Sequence, residues 1–220
     1  MSGEVAGALM SVDSGFQKSG KNSEGSKPLN PTPTRNAALP HLLKRFETLC
    51  DALDYAAQGE TGFNFYNLRG ELAESASYRQ LRDEAVSLAN RLAVRFDRGD
   101  RIAVVAETSV DFMRVFFACQ YAGMIPAPMP LPVNLGGKEG YLVQIRLMIE
   151  GAGARAAVGP STLTDFLRDA TQSLNDVAIF DFDELKALPG NGKVAQRFAP
   201  DEACYIQYSS GSTSAPKGVI

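Results

Sequence analysis

Residues 101–130 read RIAVVAETSVDFMRVFFACQYAGMIPAPMP, and their pattern decides the fold. Arg101–Ala106 is a short run of small and β-branched apolar residues, which reads as a buried strand. A helix begins after Thr108 or Ser109, residues suited to capping, and runs to about Tyr121. Pro126, Pro128, Pro130 and Pro132 then fall on every second residue of an extended segment. Val115–Gly137 carries no charge over 23 residues, long enough to test as a membrane span. Proline lacks the backbone donor and clashes with the preceding turn, so no helix crosses that stretch and no membrane span is expected.

Outward from this unit the same alternation continues. Upstream, Leu42, Phe46, Leu49, Leu53 and Ala57 have helical spacing, which predicts a helix over Leu42–Ala57. Phe63–Asn67 and Glu71–Glu74 form a hairpin pattern around Arg69-Gly70. Ser77 with Gln80 reads as a capping box. Behind it, Tyr78, Leu81, Ala85, Leu88, Leu92 and Phe96 make an apolar stripe, and Gly99 supplies the stop. Downstream, a helix is expected over Lys138–Glu150 and a strand over Arg155–Val158. Ser161 caps a helix to Ser173. A strand at Val177–Phe180, a short helix at Asp183–Ala187 and a strand at Ala203–Tyr208 follow. Strands alternating with helices of this length predict an α/β fold, a mostly parallel sheet with flanking helices. Residues 1–40, rich in Gly, Ser and Pro with Phe16 as their one aromatic, read as a disordered tail. The folded domain is expected over 41–220.

Composition excludes several function classes. The 220 residues carry a net charge of −3, which argues against nucleic-acid binding through net charge. A single histidine, His41, rules out a His-ligated metal cluster or a Ser-His-Asp triad within this chain. Cys50, Cys119 and Cys204 are far apart, odd in number and without a CxxC, so neither a disulfide framework nor a metal site is implied. With no secretory signal either, a cytoplasmic location is expected.

The chemistry sits near the end. The strand Tyr205–Tyr208 runs into Ser209-Ser-Gly-Ser-Thr-Ser-Ala-Pro-Lys-Gly218. Hydroxyls and free amides donate to phosphate oxygens, and glycine lets successive amides converge on an anion. Lysine neutralises charge on a polyphosphate. A Ser/Gly linker explains the composition, but not the Pro-Lys-Gly ending or the apolar strand that leads in. A Walker A loop fails, because Pro216 replaces its second glycine and Gly218 follows the lysine. Ser214-x-x-Lys217 has serine–lysine hydrolase spacing, yet Pro216 and Gly218 oppose the helical turn that chemistry needs. Gly151-x-Gly153-x-x-Ala156 lacks the strand-then-helix context of a dinucleotide fingerprint and reads as a helix C-cap. Arg98-Gly99-Asp100 is a turn rather than an adhesion motif. Phe112, Phe116, Phe117 and Tyr121 share one helix, where core packing is favoured over a lipid pocket.

Tyr208-Ser-Ser-Gly-Ser-Thr-Ser-Ala-Pro-Lys-Gly-Val219 closely resembles the phosphate-binding signature of the adenylate-forming enzymes, the acyl-CoA synthetase or AMP-binding superfamily. Gly99-Asp-Arg-Ile-Ala103, Phe116–Gly123 and Ile125-Pro126 resemble the family's upstream segments. Phe63-Asn-Phe-Tyr66, Ala118–Gly123 and Ser209-Ser210 are most similar to the fatty acyl-AMP ligase branch. The resemblance spans about residues 45–220. It implies that 41–220 is the N-terminal part of the large adenylation domain, incomplete at Ile220. It also implies the reaction: a fatty acid carboxylate attacks the α-phosphate of ATP, with Mg²⁺, giving acyl-adenylate and pyrophosphate. The acyl group then passes to an acyl carrier protein or CoA. By motif position, Ser209, Ser210, Ser212 and Thr213 would hold the β- and γ-phosphates, Gly211 would permit the tight loop, and Lys217 would add positive charge. Two positions depart from the pattern: Ser209 stands for the usual threonine, and Ser214 for the usual glycine. The family's catalytic residues are expected beyond Ile220, so the chain alone is expected to lack adenylation activity.

Two other readings stand beside this one. A non-catalytic nucleotide-binding or interaction module would retain the loop without the reaction. A dinucleotide-dependent oxidoreductase would rest on Gly151 and Gly153. Acyl chain length, the choice of acceptor and oligomeric state are left open by the residues present.

Overall fold

The computed structural model describes residues 9–11, 39, 42, 46–132, 137–209 and 217–219. In chain order they build β1 (Leu9–Ser11), α1 (Leu49–Ala56), β2 (Gly62–Tyr66), β3 (Leu72–Ser77), α2 (Tyr78–Arg95), β4 (Arg101–Val105), α3 (Val110–Ala122) and β5 (Ile125–Met129). There follow α4 (Gly137–Ala152), β6 (Ala156–Gly159), α5 (Thr164–Thr171), β7 (Ala178–Asp181), α6 (Phe182–Lys186), β8 (Gln207–Ser209) and β9 (Lys217–Val219). A parallel sheet in the order β5-β4-β6-β7 lies at the centre. An antiparallel sheet β1-β2-β3 and the β8-β9 hairpin complete the strands. This is the α/β architecture with flanking helices that the alternation predicts.

The two faces of β4 divide the core. Ile102, Ala103, Val104 and Val105 are fully buried, because β4 is an inner strand covered on both sides. Ile102 and Val104 pack with Leu81, Leu88 and Leu92 of α2, Val115 of α3 and Leu185 of α6. Ala103 and Val105 pack with Ile145 and Ile149 of α4 and Leu167 of α5. The stripe read on α2 is that buried face, with Tyr78 half-buried at its start. Each fully buried leucine or isoleucine here contributes about 2 kcal/mol relative to exposure. Gly123 and Gly153 close α3 and α4 with left-handed φ of 63° and 59°. In both, the following N–H reaches back five residues, Met124 to the Cys119 carbonyl and Ala154 to the Ile149 carbonyl.

β5 lies at one edge of the parallel sheet, and its prolines explain why. The Ile125 N–H faces inward and donates to the Asp100 carbonyl at 2.9 Å. Pro126 and Pro128 occupy the alternate positions, so their hydrogen-free nitrogens face the open edge and interrupt nothing. The period-two spacing in the sequence is therefore an edge-strand signature.

Several boundaries differ from the sequence expectation. The first helix starts at Leu49 rather than Leu42, because Thr48 and Asp51 form a reciprocal capping box there. Leu42 and Phe46 precede it and are exposed. At α2 the Ser77 hydroxyl accepts from the Gln80 N–H, but the Gln80 side chain turns forward to Glu84. Ser161 opens a short 3₁₀ turn, Ser161–Leu163, ahead of α5 instead of capping it. The last strand becomes regular only at Gln207, since the proline edge beside Ala203–Ile206 has no donors to extend a ladder. Among the described residues no helix is long and apolar enough to cross a membrane.

Candidate phosphate-binding hairpin

The segment ahead of the hairpin is fastened at alternate residues. The Cys204 carbonyl accepts from the side-chain amide of Gln120, which is 2% exposed on α3. The Ile206 N–H donates to the Pro126 carbonyl of β5 at 3.0 Å. The Tyr208 hydroxyl donates to the Met148 carbonyl of α4 at 2.6 Å. Burial pushes the Tyr208 phenol upward, so it stays protonated and able to donate. The Tyr205 ring sits 6.1 Å from Phe116 of α3. The helix aromatics are thus packing groups: Phe112 and Phe117 lie on the core, and the Tyr121 hydroxyl donates to Asp54 at 2.7 Å.

β8 and β9 then pair antiparallel, with Gln207 opposite Val219, Tyr208 opposite Gly218 and Ser209 opposite Lys217. Gly218 faces crowded ground. A Cβ there would come 3.0 Å from Ile206 Cγ2 and 3.4 Å from Tyr208 Cε1. The missing side chain lets the Tyr208 ring lie against the strand.

Of the residues expected to bind phosphate, Ser209 ends β8 and Lys217 begins β9, and the pairing sets them across from each other, both exposed. Ser210, Gly211, Ser212 and Thr213 lie outside the described residues, as do Ser214, Pro216 and His41. An ammonium facing a hydroxyl at the two ends of a connecting loop suits an anion seated between them. Lys217 stands in a strand, which removes the helical turn a serine–lysine hydrolase pair requires. Arg98 is held by Glu202 and stacks 5.7 Å over the Phe198 ring, beside the Gly99 turn. Among the described residues no group of three or more His, Cys, Asp or Glu is placed to hold a metal ion. A cavity of about 650 Å³ at the amino ends of β6 and β7, lined by Arg95, Arg155 and Asp176, includes no residue of the hairpin. The three anchors escape a reading based on motifs alone. Their signals were a glutamine inside an apolar helix and a proline at every second strand position.

Comparison with known proteins agrees with the geometry. Residues 57–220 match the family described as AMP-binding enzyme. A Caulobacter vibrioides protein named "Putative acyl-CoA synthetase" is 48% identical over 179 residues, which cover 80% of this chain and 30% of that protein. The medium-chain-fatty-acid–[acyl-carrier-protein] ligase JamA of Moorena producens is 29% identical, covering 80% of this chain and 31% of its own. A solved structure described under fatty acyl-adenylate ligases from E. coli and L. pneumophila superposes with a TM-score of 0.75 at 35% identity, covering 79% of this chain and 32% of that one. The chain thus spans about 30% of the length of the curated relatives it matches. The hairpin, the parallel sheet and the match over most of the chain together make this a member of the AMP-binding enzyme family, the adenylate-forming ligases.

Proposed function

We propose that this chain forms the nucleotide-phosphate-binding portion of a cytoplasmic fatty acid-activating ligase. In the reaction, an oxygen of the fatty acid carboxylate attacks the α-phosphorus of ATP. The bond from that phosphorus to the bridging oxygen breaks, and pyrophosphate leaves with the electron pair. A thiol of an acyl carrier protein or CoA then attacks the acyl carbon of the adenylate, the acyl C–O bond breaks, AMP leaves with the electron pair, and the thiol proton goes to solvent. Transfer of this kind depends on positioning and on neutralising charge. Ser209, Ser210, Ser212 and Thr213 donate to the β- and γ-phosphates, Gly211 admits the close backbone approach, and Lys217 faces the leaving polyphosphate. Mg²⁺ bound with the nucleotide would offset charge on its phosphates.

The observation that carries this reading is the placement of Ser209 opposite Lys217 on an anchored hairpin. The ligase relatives and the fatty acyl-adenylate ligase neighbour support the substrate class. The 220 residues alone bind the nucleotide phosphates and do not complete adenylation. Fatty acid-dependent ATP–pyrophosphate exchange tests both halves. Exchange is expected from the full-length protein and none from the 220-residue chain. Absence of exchange with fatty acids of every length in the full-length protein would overturn the assignment.

A further inference from the structure

β5 offers a neighbouring strand acceptors without donors. Along a strand, the N–H and C=O of one residue point to the same side, and residues two apart repeat that side. The Ile206 N–H faces β5, where it meets the Pro126 carbonyl. Were the strand continued back from β8, the Cys204 carbonyl, two residues earlier, would face the same way. In a parallel ladder containing the Ile206–Pro126 bond, that carbonyl would accept from the nitrogen of residue 126. In an antiparallel ladder it would accept from residue 128. Both are proline, so either ladder leaves the Cys204 carbonyl without its partner. The Gln120 amide makes the contact instead. Gln120 is a buried polar residue among Val115, Ala118, Cys119 and Tyr121 on α3, and burying an amide is unfavourable unless it bonds.

We infer that Gln120 is a positioning residue for the hairpin: its side-chain amide replaces the strand donor that the β5 prolines lack and thereby fixes where β8, and with it Ser209 and Lys217, meets the nucleotide. This rests on the nucleotide reading above. Residues 204, 206 and 208 are tied in turn to α3, β5 and α4, and Ser209 is the next residue. Loss of the first tie removes the side-chain fastening of this segment to α3.

The test uses Gln120→Met in the full-length protein, which keeps side-chain length and removes the donor. Amide hydrogen exchange at Ile206 and Gln207–Ser209 is expected to accelerate at least tenfold, while Leu88 and Leu92 of α2 keep their wild-type rates. In ATP–pyrophosphate exchange well below the melting temperature, KM for ATP is expected to rise about tenfold with KM for fatty acid unchanged. A residue that only stabilised the fold would lower the melting temperature and leave that split unmoved. In the wild type, the Gln120 side-chain amide protons are expected to exchange far more slowly than those of an exposed glutamine. This measurement tests the Gln120–Cys204 bond itself if the variant does not fold. Free exchange of those protons, or a Q120M protein with wild-type exchange at Ile206 and wild-type KM for ATP, overturns the inference. A wild type without pyrophosphate exchange refutes the nucleotide reading, and the hydrogen-exchange results then still decide the anchoring.

Discussion

Ser209 and Lys217 stand directly opposite each other where β8 and β9 pair, on strands joined through residues 210–216. The pairing sets a single cation at the neck of the loop. Replacing Lys217 with Met is expected to raise KM for ATP about tenfold, roughly 1.4 kcal/mol, through loss of one charge-assisted contact. KM for fatty acid should stay constant, and Lys217→Arg should recover part of the effect. Steady-state pyrophosphate exchange measures all three; a wild-type KM for ATP in K217M would place this lysine outside the nucleotide's reach.

The Arg98–Glu202 pair predicts a pH dependence. Arg98 and the Ala199 N–H, both bonded to Glu202, hold its carboxyl down to about 2. A carboxylate depressed in the folded state adds stability that is fully present above its ordinary value near 4.5 and is lost as pH falls toward 2. Glu202→Gln should therefore melt below wild type at pH 7, and the gap should close between pH 4.5 and 2. The group is open to solvent, so added salt should also narrow the gap. Thermal melts across pH, at two salt concentrations, would show it; a gap independent of pH would mean that packing, not charge, holds this contact.

Gly123 and Gly99 both have left-handed backbones, yet they should respond differently to alanine. At Gly99, with φ 88°, a Cβ meets open space. There only backbone strain applies, about 1 kcal/mol. At Gly123, with φ 63°, a Cβ would lie 2.6 Å from the Gln196 carbonyl oxygen. Strain and collision add, so Gly123→Ala should lose about 2–4 kcal/mol. Denaturant midpoints at constant slope give both values, and equal losses would contradict the crowding at Gly123.

Thiol reactivity should follow burial. Desolvation pushes Cys119 and Cys50 up to about 12, leaving about one thiolate in ten thousand at pH 8. Cys204 is raised as well but only half-buried. Alkylation of the native protein at pH 8 should modify Cys204 first, and all three together once unfolded. Peptide mapping after brief alkylation would reveal the order, and early modification of Cys119 would mean that the α3 core opens locally.

The elements legible in the sequence were those whose pattern repeats over several turns. The α2 stripe from Leu81 to Leu92 buries the side that its period indicates, and the unbroken apolar run of β4 is buried on both faces. Single-residue chemistry read less well. Thr48 outweighs the apolar spacing of Leu42 and Phe46, because a cap satisfies backbone donors that spacing ignores. Gln80 could serve either the helix start or Glu84, and the sequence does not rank two such bonds. At the hairpin, Ser209 and Lys217 follow from a local motif. The Gln120 contact joins residues 84 apart in the chain, a pairing that exists only once α3 and the strand have met.

The proline edge of β5 also bears on how the chain assembles. A strand that can only accept cannot be zipped by an arbitrary passing segment, because half of each ladder is missing. During synthesis this edge is made well before the segment that covers it, and it stays unattractive to neighbouring chains through that interval. Its intended partner succeeds by carrying its own substitutes: a carbonyl that a distant glutamine can reach, one N–H, and a tyrosine long enough to find α4. The sheet border therefore works as a lock that discriminates by side chain, and a foreign strand with the right backbone but the wrong residues gains little by docking there.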